Sequence, residues 1–222
     1  MNYWHIVGDS HIRAFRHASN VGLINSPCVF TEVGGATAVG LRNPNALTDA
    51  VSVFRASLLP RATGARPVIH LGEVDCGFVI WYRAKKYSES IDSQFEQSIA
   101  GYIGFVDELL GDGYSTVVIS GATLPTILDG QDWGEVANAR REVTATLVQR
   151  TELTLAYNER LRAAADLRSL PFIDISHSTL DEKTKVVAER FRNPDPTDHH
   201  LDPVEAGALW AMELNRVDDR FA

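Results

Sequence analysis

The chain has 222 residues, 45% of them hydrophobic and 23% charged, which is ordinary for a globular protein and predicts one domain over residues 1–222. Its formal net charge is −8, and an acidic chain without a basic stripe argues against nucleic acid as a partner. No apolar run approaches the ~18 residues of a membrane span, no secretory signal is recognisable, and two cysteines are too few for a disulfide scaffold, so we expect a cytoplasmic protein.

Short apolar strand patterns alternate with helical patterns along the chain. The predicted strands cover residues 4–7, 28–33, 68–71, 116–120 and 172–175. The predicted helices cover 11–16, 45–58, 91–109, 136–165 and the segment from 203 onward. We expect a bend or break near Thr151 and a solvated loop at 81–86. Asp202 as N-cap, Pro203 at the first position and Glu205 three residues after the cap indicate the last helix.

The alternation of strands and helices predicts an α/β fold. It is expected to be a three-layer α/β/α sandwich, flavodoxin-like, with a five-stranded and mainly parallel sheet. In such a sheet ligands bind beyond the carboxyl ends of the strands. The groups that follow the strands should therefore converge on one edge of the sheet: Asp9-Ser10, Gly34-Gly35, 72–75, 121–123 and 195–200.

Ser10 is the first candidate for chemistry, because it lies where the first strand turns into a helix. A hydroxyl there is exposed at the mouth of the sheet, beside the unpaired N–H groups of a helix N-terminus, and this setting favours an oxyanion. The same residue also fits a simple helix N-cap without a chemical role.

A nucleophilic hydroxyl needs a base within hydrogen-bond reach and a group that orients the base. His199 and His200 precede the last helix and belong to the same predicted edge as Ser10, with Asp195 and Asp198 as acidic neighbours. A histidine pair at a helix entry is by itself also consistent with solvent-exposed capping.

Four short blocks stand in an order that resembles the SGNH (GDSL-like) serine hydrolase family. The blocks, in that order, are Gly8-Asp9-Ser10-His11, Gly34 or Gly35, Gly72-Glu73-Val74-Asp75, and His200-Leu201-Asp202-Pro203. The likeness spans nearly the whole chain. Its specificity comes from the order of the blocks and their placement after strands, because no single block is specific.

The resemblance implies an esterase that needs no metal and no organic cofactor. In that family's terms Ser10 is the nucleophile and His200 the base, with His199 as the alternative, and Asp198 or less readily Asp195 orients the imidazole. The implied substrate is a small acyl ester such as an acetylated carbohydrate; no oligomeric state is implied. The implied pocket residues are His11, Gly34, Glu73 and Asp75.

Two positions depart from the family pattern. Val74 occupies the place of the Asn that donates to the oxyanion, and removing such a donor typically costs about 100-fold to 1000-fold in rate. The oxyanion hole is then expected to depend on the N–H groups of Ser10 and Gly35. Thr197 stands three residues before His200, where the family has its Asp, so the orienting acid has to come from a neighbouring position.

Two other functions fit parts of the same pattern. Asp9-Ser10-His11 has the Asp-x-His spacing of metal-dependent phosphoesterases, although that family's later Gly-Asn-His and Gly-His-x-His blocks are missing from the sequence. Val74 and Thr197 fit a binding protein that has the same fold and has lost catalysis. Metal analysis and a covalent serine probe distinguish these functions from an esterase.

Overall fold

A parallel sheet of five strands lies at the centre of the computed structural model, which describes residues 2–43, 46, 48–131 and 142–220. The strands are β1 (Tyr3–Gly8), β2 (Cys28–Glu32), β3 (Ala65–His70), β4 (Val118–Ser120) and β5 (Phe172–Ile173). Their order is β2-β1-β3-β4-β5, and every neighbouring pair is parallel. The predicted α/β fold with five parallel strands is confirmed.

Helices connect the strands and flank the sheet. Those of the described residues are α1 (Arg13–Asn20), α2 (Ala50–Leu58), α3 (Ile80–Tyr87), α4 (Ile91–Gly111), α5 (Leu147–Leu167), α6 (Ser176–Thr179) and α7 (Pro203–Asp218). A short antiparallel hairpin, β6 (Leu180–Asp181) with β7 (Val186–Val187), lies between α6 and α7 and was not expected from the sequence. Within the described residues, no helix is both long enough and apolar enough to cross a membrane.

Alternate side chains of the strands enter two apolar cores, one on each face of the sheet. Trp4 and Ile6 of β1 pack with Phe15 of α1 and Trp210 of α7, whose rings stack at 4.6 Å. Val7 belongs to the other core, together with residues of α2, α4 and α5. The period of two along each buried strand thus produces the three layers.

The helix predicted ahead of the fifth strand begins later than expected, at Leu147. Thr146 accepts the N–H of Gln149, and the Gln149 side chain accepts the N–H of Thr146, so a capping box starts the helix here. Residues 136–141 lie outside the described residues. The expected bend or break near Thr151 is wrong as to the break, because the helix continues through this residue. The Thr151 hydroxyl donates to the Leu147 carbonyl at 2.8 Å, a type of bond that often bends a helix.

Two other predictions on the helices also need correction. The second helix begins at Ala50 rather than at Asn45, which lies outside the described residues. Residues 81–86 belong to α3 and not to a solvated loop. The helical turn that follows β3 continues into them, and Ile80 and Ala84 bury one side of the helix.

The last helix begins as predicted. Pro203 is its first residue, and Asp202 Oδ1 accepts the N–H of Val204 at 2.8 Å. A Cβ on Gly207 would lie 2.9 Å from the carbonyl oxygen of Ala14, so α7 packs closely on α1. This packing holds the loop before α7 next to the turn that follows β1.

Gly101 allows α4 to approach the segment that follows β2. A Cβ on Gly101 would lie 2.2 Å from the carbonyl oxygen of Ala38. Real Cβ atoms are not found at such a distance, so any larger residue has to displace backbone. The contact therefore sets the position of the segment that contains Gly35.

We expect Gly101→Ala to lower the free energy of unfolding by about 1–3 kcal/mol, because the added methyl group overpacks this contact. Gly104→Ala is the matched control in the same helix, since nothing lies within 4 Å of a Cβ built there. The control should be stabilised by ~0.5–1 kcal/mol through helix propensity alone. Urea unfolding midpoints measure both changes. A stabilised Gly101→Ala variant would contradict the close approach.

Candidate active site

Ser10 lies in a tight turn directly after β1. Asp9 Oδ1 accepts the N–H of His11 at 2.9 Å, and the chain makes one 3-10 turn over Ser10–Ile12 before α1 begins. Burial raises the pKa of Asp9 to about 6, against the lowering effect of His11. The Asp9 carboxyl thus shapes the turn. Ser10 is only 9% exposed, so the expected exposure of its hydroxyl at the mouth of the sheet is not observed.

Ser10, His200 and Asp198 form one chain of hydrogen bonds. Ser10 Oγ lies 2.8 Å from His200 Nε2, and His200 Nδ1 lies 2.5 Å from Asp198 Oδ1. If Nδ1–H donates to the carboxylate, Nε2 is the nitrogen that accepts the serine proton. The structure therefore brings together a hydroxyl, an imidazole and a carboxylate that are up to 190 residues apart.

The loop before α7 decides which carboxylate contacts the imidazole. Asp198 Oδ1 also accepts the backbone N–H of His200 at 2.9 Å, and Asp198 Oδ2 accepts from Asn193 Nδ2 at 3.1 Å. The other candidate, Asp195, is exposed and uses Oδ1 for the N–H and hydroxyl of Thr197. Asp198 is thus two residues before the imidazole it contacts, and Asp195 holds a turn. Sequence analysis missed Asn193, because no spacing rule links it to Asp198.

Burial and the neighbouring charged groups shift the pKa values of both members of this pair. Burial and the charge of His11 lower the pKa of His200, whereas the hydrogen bond and charge of Asp198 raise it, and the net shift is downward. Partial burial raises the pKa of Asp198, but the hydrogen bonds from His200 and its charge outweigh this and lower it. His200 is therefore neutral, and Asp198 ionised, at neutral pH.

His199 packs beside His200, whereas the Ser10 hydroxyl lies against His200 Nε2. Its ring packs against that of His200 with centroids 4.1 Å apart, and its carbonyl oxygen accepts the hydroxyl of Thr126 at 2.5 Å. Of the two candidate bases, the geometry places His200 on the serine.

A second imidazole–carboxylate pair lies behind the first. His11 Nε2 lies 3.1 Å from Glu73 Oε2, and both side chains are only 3% exposed. His11 Nδ1 lies 3.3 Å from Thr123 Oγ1. Glu73, which the resemblance placed in the substrate pocket, has its carboxylate buried against His11. Thr123 belongs to the segment 121–123 that the strand pattern places at this edge of the sheet.

Asp75, which the sequence placed either in the pocket or in a structural role, is buried between loops. It is fully buried, and its carboxylate accepts the N–H groups of Ala38 and Val39 at 2.7 and 3.1 Å and the hydroxyl of Ser98 at 2.7 Å. These bonds keep the carboxylate away from any substrate. Its role in the structure is to connect loops.

The expected oxyanion donors lie at the ends of β1 and β2. Gly35 has a positive φ of 70°, which favours glycine, and both Gly34 and Gly35 are exposed. Among the hydrogen bonds of the described residues, none uses the N–H of Ser10 or Gly35. Val74 has no side-chain donor, so the N–H groups of Ser10 and Gly35 remain the predicted oxyanion hole.

Three cavities lie beside the loop before α7 or beside the segment that follows β2. One of about 550 Å³ is lined largely by polar side chains and reaches Asp198 and His199. A smaller one of about 90 Å³ is bordered by His11 and His200. A third, of about 540 Å³, adjoins Gly35.

Several solved structures that are similar to this chain are named as lipases or esterases. A GDSL-like lipase from Bacteroides thetaiotaomicron is 14% identical with a TM-score of 0.56, covering 97% of this chain and 89% of that one. An acetyl xylan esterase is 13% identical with a TM-score of 0.56, covering 96% and 98%. A provisionally assigned arylesterase from Agrobacterium tumefaciens is 13% identical with a TM-score of 0.60, covering 99% of each chain.

At these identities the likeness establishes the fold: the chain has the α/β/α fold of the GDSL-like hydrolases. No family model matches the sequence, and no curated protein matches it. The site residues must therefore be judged by their own geometry.

We expect Asp198→Asn to lower the pKa of His200 further, because the hydrogen bond and charge of Asp198 are what raise it. An NMR pH titration of the imidazole resonances measures this. Asp195→Asn is the matched control, since Asp195 bonds only within its own turn among the described contacts. If the pKa of His200 is the same in the two variants, the contact with Asp198 does not raise this pKa and the prediction is wrong.

Proposed function

We propose that this protein is a serine esterase that hydrolyses a small acyl ester through an acyl-serine intermediate. The observation that carries the proposal is the hydrogen-bond chain from Ser10 Oγ to His200 Nε2 at 2.8 Å and from His200 Nδ1 to Asp198 at 2.5 Å. A structural N-cap would not need an imidazole and a carboxylate in line behind it. The fold shared with lipases and esterases supports the same activity.

In the first step Ser10 Oγ attacks the ester carbonyl carbon while His200 Nε2 takes its proton. Asp198 keeps the proton on Nδ1 and stabilises the imidazolium that forms. The negative charge on the carbonyl oxygen is stabilised by the N–H groups of Ser10 and Gly35. When the carbon–oxygen bond to the alcohol breaks, His200 returns the proton to the departing alkoxide. Water then attacks the acyl-serine with His200 again as base.

An acetyl xylan esterase with the same fold supports a small acyl group. The polar cavity beside the loop before α7 supports a larger polar alcohol, whereas the cavity of about 90 Å³ is bordered by His11 and His200 and its lining does not include Ser10. The cavity of about 550 Å³ beside Asp198 and His199 offers many hydrogen-bonding side chains, including those of Gln131 and Arg190. An acylated carbohydrate fits this combination.

We expect a fluorophosphonate probe to form a single adduct on Ser10, because only an activated hydroxyl reacts with it. Intact mass and peptide mapping measure the adduct. Ser10→Ala should lose the adduct and reduce hydrolysis of a p-nitrophenyl acetate substrate by roughly 10⁴-fold or more, with an unchanged far-UV spectrum.

Two results would contradict the esterase. Full hydrolysis by Ser10→Ala would remove Ser10 from the mechanism. A folded wild-type protein that forms no adduct would favour the catalytically impaired binding protein, for which Val74 is the supporting feature.

The pH dependence of kcat/KM should follow His200. A base has to be neutral to accept a proton, so the rate should rise with pH through the pKa of His200 and then reach a plateau. The midpoint should lie below the ordinary histidine value of 6.5, because burial and His11 lower this pKa. Rates of p-nitrophenyl acetate hydrolysis between pH 4.5 and 8 measure the profile. A midpoint above 6.5 would show that a different group is the base.

A further inference from the structure

Three imidazoles meet beside Ser10, although the proposed hydrolysis uses only one of them. One nitrogen from each of His11, His199 and His200 lies within 4.8 Å of the others. The ring centroids are 4.1 to 5.5 Å apart. His11 comes from the turn after β1 and the other two from the loop before α7, so the tertiary fold assembles the cluster.

Two of the three imidazoles are oriented by carboxylates. His200 Nδ1 is hydrogen-bonded to Asp198, and His11 Nε2 is hydrogen-bonded to Glu73. In metal centres a ligating imidazole usually gives its other N–H to a carboxylate, which fixes the tautomer and makes the ligand nitrogen more basic. Here the remaining nitrogens are His200 Nε2, which faces Ser10 Oγ, and His11 Nδ1, which faces Thr123 Oγ1.

We propose that His11, His199 and His200 bind a divalent transition-metal ion of the Zn²⁺ type. Three imidazole nitrogens suit Zn²⁺, Cu²⁺ or Ni²⁺, whereas Mg²⁺ and Ca²⁺ prefer oxygen ligands. Tetrahedral Zn²⁺ with bonds of 2.0–2.1 Å needs nitrogens about 3.3 Å apart, so the side chains close on the ion from their present spacing. His199 and His200 are on a loop outside the helices and strands, so this movement leaves the sheet unchanged. Water or the Ser10 hydroxyl takes the fourth position.

Metal binding inhibits the hydrolysis reversibly. A metal ion on His200 Nε2 occupies the lone pair that accepts the Ser10 proton, and it replaces the hydrogen bond between the two residues. This consequence rests on the proposed esterase, whereas the binding of the ion does not.

Isothermal titration of ZnCl₂ into the metal-free full-length protein tests the site. We expect one ion per chain, and at least tenfold weaker binding by His199→Ala. His177→Ala is the matched control, because its side chain is 64% exposed and lies outside the cluster, and its affinity should equal that of the wild type. MgCl₂ should give no saturable binding. Absence of a one-to-one isotherm in the wild type, or equal affinity in the two variants, overturns the proposal.

Two further measurements keep the test decisive. If His199→Ala does not fold, the EPR spectrum of the Cu²⁺-loaded wild type, with and without ¹⁵N-labelled histidine, should show splitting from imidazole nitrogens, and its absence overturns the site. Zn²⁺ should inhibit p-nitrophenyl acetate hydrolysis at concentrations near its measured dissociation constant. If the wild type binds one Zn²⁺ but hydrolyses no ester, the proposed esterase is wrong and the metal site is still supported. If the Zn²⁺-loaded protein hydrolyses the ester at the full rate, the proposed inhibition is wrong.

Discussion

The buried carboxylate of Asp75 is the interaction on which the placement of the site depends. It joins the loop after β3 to the N–H groups of Ala38 and Val39 after β2 and to Ser98 of α4. Ser98 Oγ also lies 2.9 Å from the hydroxyl of Tyr157 on α5. Burial raises the pKa of Asp75, and the hydrogen bonds from Ser98 and the backbone oppose this. Because a buried carboxylate without partners is costly, these loops are held in one arrangement.

That arrangement gives the site one rigid side and one adaptable side. The turn with Ser10 and the segment with Gly35 are fixed by the sheet, by Asp75 and by the close contact at Gly101. His200 comes from a loop whose shape depends on hydrogen bonds among its own polar residues and on the packing of α7. The base therefore reaches the serine from a loop outside the sheet, and the proposed metal ion would take two of its ligands from the same loop.

The two imidazole–carboxylate pairs differ in burial and in their distance from the serine, and these differences give them different roles. His200 lies against the Ser10 hydroxyl and Asp198 is partly exposed, so in the proposed mechanism this pair exchanges a proton with the serine. His11 and Glu73 are buried, so their bond orients groups but does not reach a substrate directly. The charge of His11 nonetheless acts on its neighbour, because it lowers the pKa of His200 across a centroid distance of 4.7 Å.

The sequence by itself determined the alternation of strands and helices, the N-cap at Asp202 and the position of Ser10 after the first strand. These features follow from apolar periodicity and from hydrogen bonds between near neighbours, which a linear pattern contains. The order of the blocks also identified the histidine pair. It favoured Asp198 over Asp195 as the carboxylate that orients the imidazole, but it did not exclude Asp195, because both side chains are carboxylates close to His200 in the chain.

Only the tertiary structure decided that Asp198 is the carboxylate that contacts His200. It also decided that Asp75 is buried and that His11 pairs with Glu73, which lies 62 residues away. The physical reason is that each of these carboxylates takes the partner that packing brings within about 3 Å. Asp195 meets the N–H of Thr197 in a turn, whereas Asp198 meets an imidazole. Residue type and spacing do not specify such distances, because they depend on how α7 and the sheet pack against each other.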